Sequence, residues 1–166
     1  MTTADEVRAE VRYATPDDLD LWRDVRLRSL ADTPDAFGST LEREQAFTDE
    51  EWLTRLSPPA VLVLDEVGHP VGLGGGFEDR PGALLVVAMW LDPGWRGRGL
   101  SRRILDLVVD WARAHDLDVE LDVARDATSA RMAYERYGFV PTGDETPLRE
   151  GSTVVTDRMV LPRPRG

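Results

Sequence analysis

"MWLDPGWRGRGLSRRIL", Met89 to Leu105, decides how this chain folds. The run that leads into it, "ALLVVAMWL" (83–91), is nine consecutive apolar residues closed by Asp92 and Pro93. A run that short, rich in valine and leucine and bounded by turn signals, predicts a strand covered on both faces. The segment that leaves it, "GLSRRILDLVVDWARAH", predicts an amphipathic helix. Leu100, Ile104, Leu107, Val108 and Trp111 share its apolar face, and Arg102, Arg103, Asp106, Asp110 and Arg113 line its polar face. Amides at a helix start lack internal partners and carry a positive partial charge, which favours an anion. Gly97 and Gly99 let backbone approach such an anion closely. From Asp92 to Arg103 there are four arginines and one aspartate, a local charge of +3 in a chain of net charge −11. Phosphate binding accounts for both the bare backbone and the local charge. An ordinary strand-to-helix turn with solvated arginines accounts for this stretch only when it is taken alone. A dinucleotide loop fits less well, because Gly97-x-Gly99 is followed by Arg102 where a third glycine belongs.

Outward from this junction the elements alternate. "VRAEVRY" predicts a strand, and "ATPDDLDLWRDVRLRSL" a helix with Thr15 as N-cap, Pro16 in the first turn, and Asp17 and Asp18 at the positive dipole end. Leu19, Trp22, Arg26 and Leu30 recur at helical spacing. "STLEREQAFTDEEWLTRL" predicts one or two short helices, the second opened by a Thr48–Glu51 capping box. "AVLVLDE" and "PVGLGGGFE" predict two strands joined at Gly68-His69-Pro70. In "DVELDV", Val119, Leu121 and Val123 alternate with Glu120 and Asp122, the latter pair on the polar side. "DATSARMAYERY" predicts a helix capped by Asp126 and ended by Gly138, and "FVPTG" and "STVVTDRMVL" the last two strands. The expected order is β-α-α-β-β-β-α-β-α-β-β: a single α/β domain over 1–166, with a mixed, mostly antiparallel sheet and helices on both faces.

Composition narrows the function. An apolar fraction of 42% over 166 residues suffices for one core. No apolar run reaches the roughly 18 residues of a membrane span, and the polar start has no leader-like segment, so the expectation is a cytoplasmic protein without membrane attachment. With no cysteine and only His69 and His115, neither a thiolate nucleophile nor a metal site is expected. The acidic balance argues against nucleic-acid binding.

Two motifs carry a resemblance. Arg96-x-x-Gly99-x-Ser101 and, about thirty residues on, Ala130, Tyr134, Gly138 and Phe139 resemble the pyrophosphate loop and the A-x-x-x-Y-x-x-x-G-F element of the GNAT N-acetyltransferase superfamily. "RLRSLADTPDAFGSTLERE" is similar to the acceptor-side helices of a bacterial subgroup. The resemblance implies acetyl-CoA as co-substrate, no metal, and direct attack of a primary amine on the thioester. The acceptor is then a small molecule or a peptide N-terminus, and a homodimer is an open expectation because dimers are frequent in the superfamily. Met89, Trp90 and Leu91 are expected beside pantetheine, and Arg96, Gly97, Arg98, Gly99, Leu100 and Ser101 around the pyrophosphate. Tyr134 is the expected acid. With a phenol at about 10 and a thiol at about 8.5, full proton transfer is uphill by about 2 kcal/mol, so hydrogen bonding to the departing sulfur is its expected role. Asp122 sits where some members carry a catalytic glutamate and is the expected base; Glu42 and Glu44 are further candidates, acting through water. Phe37, Gly38 and Ser39 are expected to line the acceptor's approach. Ala127 stands where many members have asparagine, and Ser101 where they have glycine or alanine. A non-catalytic acyl-CoA-sensing module of the same fold is the rival reading.

Overall fold

Thr15 stops the first strand and opens the first helical turn. Its amide donates to Asp18 Oδ2 at 2.8 Å, and Arg12 of the strand donates twice to the same carboxylate, at 2.8 and 2.8 Å. That pins β1 (Glu10–Tyr13) to the 3-10 turn at Pro16–Asp18 and to α1 (Leu19–Asp32) in a computed structural model that describes residues 8–164. The second helical segment breaks at Phe47, and Thr48 caps anew by accepting from the Glu51 amide. Of the one or two short helices expected after α1 there are two, so three helices separate the first two strands, one more than in the expected element order: α1, α2 (Leu41–Gln45) and α3 (Asp49–Arg55). There follow β2 (Val61–Leu64), β3 (Pro70–Arg80), β4 (Ala83–Leu91), α4 (Leu100–Ala114), β5 (Asp118–Ala124), α5 (Thr128–Tyr137), β6 (Val140–Pro147) and β7 (Val155–Leu161). Gly138 ends α5 at φ 123, as expected. Asp126 does not cap it through its side chain: Ala127 holds the cap position and the Thr128 amide bonds the Asp126 carbonyl.

The seven strands form one sheet in the order β1-β2-β3-β4-β5-β7-β6, antiparallel except between β4 and β5. Helix α4 is the crossover that this parallel pair requires. Each face buries its own core. Ile104, Leu105 and Val108 of α4 pack on Val61, Val86, Val119, Leu121 and Val123, and Tyr134 of α5 packs against the same cluster. On the other face Trp22, Val25 and Leu30 of α1 meet Trp52, Leu62, Leu73 and Trp90. The mixed sheet with helices on both faces is thus the expected fold.

One irregularity shapes the molecule. Beyond Val86 and Leu121 the parallel ladder stops, although β4 runs on to Leu91 and β5 to Ala124. On its other side β4 bulges: Ala88 and Met89 together stand opposite the single residue Gly74, and Ala88 takes φ 63. A bulge increases local twist, and here it accompanies the divergence of β4 from β5. The two strands open into a cleft. Leu85, Val87, Ala88 and Met89 are consequently only half-buried, so β4 is not the fully covered strand that its apolar run predicted.

Candidate active site

The cleft belongs to a cavity of about 740 Å³ that passes from one face of the sheet to the other. On the α1 side it is walled by Trp22, Arg26, Phe37, Ser39, Glu44 and Trp52. Between the strands it meets Val86 to Met89 and Leu121, and at its other end Tyr134. The loop after β6 holds one wall in place, since Arg149 donates to the Phe37 carbonyl at 3.0 Å and Leu148 lines the cavity beside Gly38.

Of the expected acceptor residues, Phe37, Gly38 and Ser39 lie in this cavity and Glu42 does not; its neighbour Glu44 does. Glu44 is 1% exposed and receives Arg26 Nε at 2.9 Å and Nη2 at 3.0 Å. Arg26 also lies over the Phe37 ring, 4.8 Å from its centroid. Burying a carboxylate this deeply demands such a bidentate partner.

Both expected catalytic side chains reach the cavity. Tyr134 packs edge-on to Phe139 at 5.9 Å, and Tyr137 one turn later donates to Asp106 of α4 at 2.7 Å, fastening α5 in place. Burial pushes the Tyr134 phenol up to about 12, so it stays protonated through the neutral range. Asp122 faces Arg158 directly across β5 and β7 and accepts its Nε at 2.6 Å and Nη2 at 3.0 Å. The same arginine donates to Glu120 at 2.9 Å, and Arg80 holds the other Glu120 oxygen. The polar side of β5 is therefore not solvated: Glu120 is 6% exposed within an ionic layer. Burial pushes its carboxyl up, but the two arginines outweigh burial and hold it below its ordinary value.

The turn before α4 lies on the neighbouring edge of the cleft. Gly97 and Gly99 take φ 76 and 77, the left-handed region that glycine enters without strain. From Gly97 to Arg102 no amide is hydrogen-bonded to another described residue. Arg98 stacks over Trp95 at 5.2 Å and Arg102 over Tyr137 at 5.4 Å, leaving their charge at this corner. The Arg96 side chain turns back, donating to the Leu91 carbonyl and to Asp32, both at 2.9 Å. Trp90 gives its indole N–H to the same Asp32 at 3.0 Å and is buried against α1, so of the expected β4 residues only Met89 lines the cavity by its side chain. Leu91 is likewise buried in the core under α4. Ala127 packs against that core as well.

A cleft between diverging parallel strands, beside a left-handed glycine turn that opens a helix, is an arrangement with known counterparts. The acetyltransferase (GNAT) family profile matches residues 22–139. This chain belongs to the GNAT acetyltransferase family. A mycothiol acetyltransferase from Beutenbergia cavernae is 31% identical over 123 residues, 72% of this chain and 40% of that relative. The chain thus spans less than half the length of that curated relative. Among solved structures, a GCN5-related N-acetyltransferase from Kribbella flavida superposes with a TM-score of 0.73 at 20% identity, covering 94% of this chain and 98% of that one. The structure of yncA from Salmonella typhimurium, solved with acetyl-CoA, superposes with a TM-score of 0.76 at 16% identity over 95% of each chain. The expected superfamily is borne out.

Two site residues escaped the sequence reading, and both had a signal in it. Arg26 stands in the stripe of Leu19, Trp22 and Leu30, where a charge can be buried only against a partner. Glu120 and Asp122 share one face of a central strand, which calls for an opposing cation; Arg158 supplies it. Among the described residues no cluster of three or more potential metal ligands forms, and no helix is long and apolar enough to cross a membrane.

Proposed function

We propose that this chain transfers acetyl from acetyl-CoA to a primary amine by direct attack. The observation that carries the reading is the through-going cavity, which links the acceptor-side helices to Tyr134 by way of the β4–β5 cleft. Beyond Val86 the β4 backbone has no β5 partner, and a pantetheine chain supplies one. The unpartnered amides from Gly97 to Arg102 suit a pyrophosphate, with Arg98 and Arg102 adding charge. Arg96 is committed on both counts, its amide to the Pro93 carbonyl and its side chain to Asp32, so the anion-binding donors begin at Gly97. The family match, and the solved relative that holds acetyl-CoA on this fold, support the same co-substrate.

In this reading the amine attacks the thioester carbonyl, a β4 amide polarises that carbonyl, and Tyr134 hydrogen-bonds the departing sulfur. With the phenol at about 12 against a thiol near 8.5, complete transfer is uphill by about 5 kcal/mol, so Tyr134 stabilises the thiolate rather than fully protonating it. Both Asp122 oxygens accept from Arg158, so neither is turned to the amine, and water leads the proton out.

The test is thiol release from acetyl-CoA across a broad amine panel, with calorimetric acetyl-CoA binding on the same sample. Release with an amine is the expected result. Binding without release on any amine favours a sensing module, and absence of binding overturns the reading.

A further inference from the structure

The turn that offers its amides from Gly97 onward is open above its glycines. Chain neighbours apart, a Cβ at Gly94, Gly97 or Gly99 would meet no described heavy atom within 4 Å. Packing at those positions therefore does not fix where the turn lies. Helix α4 holds its far end, and its near end follows from how Arg96 is held.

Two residues one turn apart on α1 reach that near end. Arg28 donates to Asp92 at 2.9 Å and to the Pro70 carbonyl, and its guanidinium lies 5.8 Å from the Trp90 ring centroid. Asp32 takes two donors on one oxygen, Oδ2: the Trp90 indole N–H at 3.0 Å and Arg96 Nη2 at 2.9 Å. Arg96 Nε returns to the Leu91 carbonyl at 2.9 Å. The 3-10 turn at Pro93–Trp95 is thus bracketed by two ion pairs, Arg28 with Asp92 before it and Asp32 with Arg96 after it.

Local structure asks for neither pair. Asp32 ends α1, where the helix dipole is negative and a carboxylate is unfavourable, and no basic residue shares that last turn. Asp92 precedes a turn that an aspartate ordinarily caps, yet its side chain makes no cap bond and goes to Arg28 instead. Both carboxylates forgo a local role for a contact between α1 and the end of β4.

We infer that Asp32 and Arg28 are positioning residues for acetyl-CoA: through Arg96 and Asp92 they set where the amides from Gly97 to Arg102 stand. The role rests on the acetyl-transfer reading, and in it neither residue touches the co-substrate. Arg96 immediately precedes the first free amide, so a shift there passes directly to the donors, and hydrogen bonds weaken steeply once misaligned. Half-exposed ion pairs contribute little by charge alone, so the hydrogen-bond geometry carries the effect.

The test is calorimetric acetyl-CoA affinity in Asp32→Ala, Asp32→Asn, Arg28→Met, Arg96→Met and the Asp32→Ala/Arg96→Met double variant, with a denaturant titration on each. Asp32→Ala should weaken binding about five- to thirty-fold, as two lost hydrogen bonds predict. Asp32→Asn keeps an oxygen for both donors and should recover affinity to within about three-fold of wild type. Because Asp32 acts through Arg96, the double variant should bind within about three-fold of the weaker single variant. Arg28→Met should weaken binding about two- to ten-fold, and an unchanged affinity there overturns the part given to Arg28. Wild-type affinity in Asp32→Ala, no recovery in Asp32→Asn, or a double variant showing the full product of the single effects overturns the assignment. If Asp32→Ala does not fold, Arg96→Met removes the same link, and its unchanged affinity overturns the role. A wild type that binds no acetyl-CoA sinks the acetyl-transfer reading as well; a wild type that binds beside an indifferent Asp32→Ala sinks the positioning role alone.

Discussion

Around Gly97 and Gly99 the groups offered to a ligand are main-chain amides on an exposed turn, and the neighbouring arginines stack on Trp95 and Tyr137. At Arg26 and Glu44, across the sheet, the groups are side chains buried to 12% and 1% exposure that hold each other in a fork. The first region is built from backbone geometry and survives many side-chain changes. The second is built from paired charges, and removing one partner strands the other. Specificity for a shared cofactor suits the first design, and discrimination among acceptors suits the second.

Breaking the buried fork should have the largest effect. Arg26→Met leaves Glu44 charged and unpaired, and should lower unfolding stability by about 3–5 kcal/mol in a denaturant titration. Arg26→Met with Glu44→Leu should restore most of it; a double variant as unstable as the single one would show that the fork is not the cause. Next, Tyr134→Phe removes only the phenolic oxygen at the far end of the same cavity. Turnover should fall about a hundred-fold or more while acetyl-CoA affinity stays within about two-fold, because the oxygen acts on the leaving group. Unchanged turnover would remove the role given to Tyr134. On the backbone side, Gly99→Val forces a β-branched residue to φ 77 and sets methyl groups beside the amides. Acetyl-CoA affinity should fall by about thirty- to a hundred-fold by calorimetry, with the acceptor cavity intact. If the Gly99→Val variant bound acetyl-CoA as tightly as the wild type, the turn would not be a backbone site.

How far the two regions could be read in advance follows from the same contrast. The turn before α4 is local: strand end, glycines and helix start all lie between Met89 and Leu105, and each signal acts on its immediate neighbours. Tyr134 was legible through its spacing to Gly138 and Phe139. The cavity is assembled from α1, the Phe37–Ser39 segment, β4, β5, α5 and the loop after β6, and no short-range pattern states which of these meet. Asp122 shows the limit well. Alternation placed it on the polar side of β5, but only the pairing of β5 with β7 sets Arg158 opposite it. The bulge at Ala88 was invisible for a similar reason, since an alanine at φ 63 is imposed by the sheet and not by its own preference.

The smallest of these effects tests whether acid separates the two designs. Asp18 ties β1 to the start of α1, the helix that carries Trp22 and Arg26 into the cavity. The Arg12 hydrogen bonds hold its carboxyl at about 2, against burial, and the Thr15 amide adds to the effect. Its unfolded value is near 3.9, so the folded pKa is depressed; the stabilisation is complete above about pH 4 and is lost as pH falls through about 2. The shift amounts to about 2 kcal/mol. Asp18→Asn should therefore lower stability at neutral pH by about that amount, and wild type and variant should converge as pH falls from about 4 to 2. The turn at Gly97 and Gly99 has no carboxylate among its bonding groups, and so no comparable acid-labile contact. Parallel denaturation curves for wild type and variant down to pH 2 would mean that Asp18 does not anchor α1 by its charge.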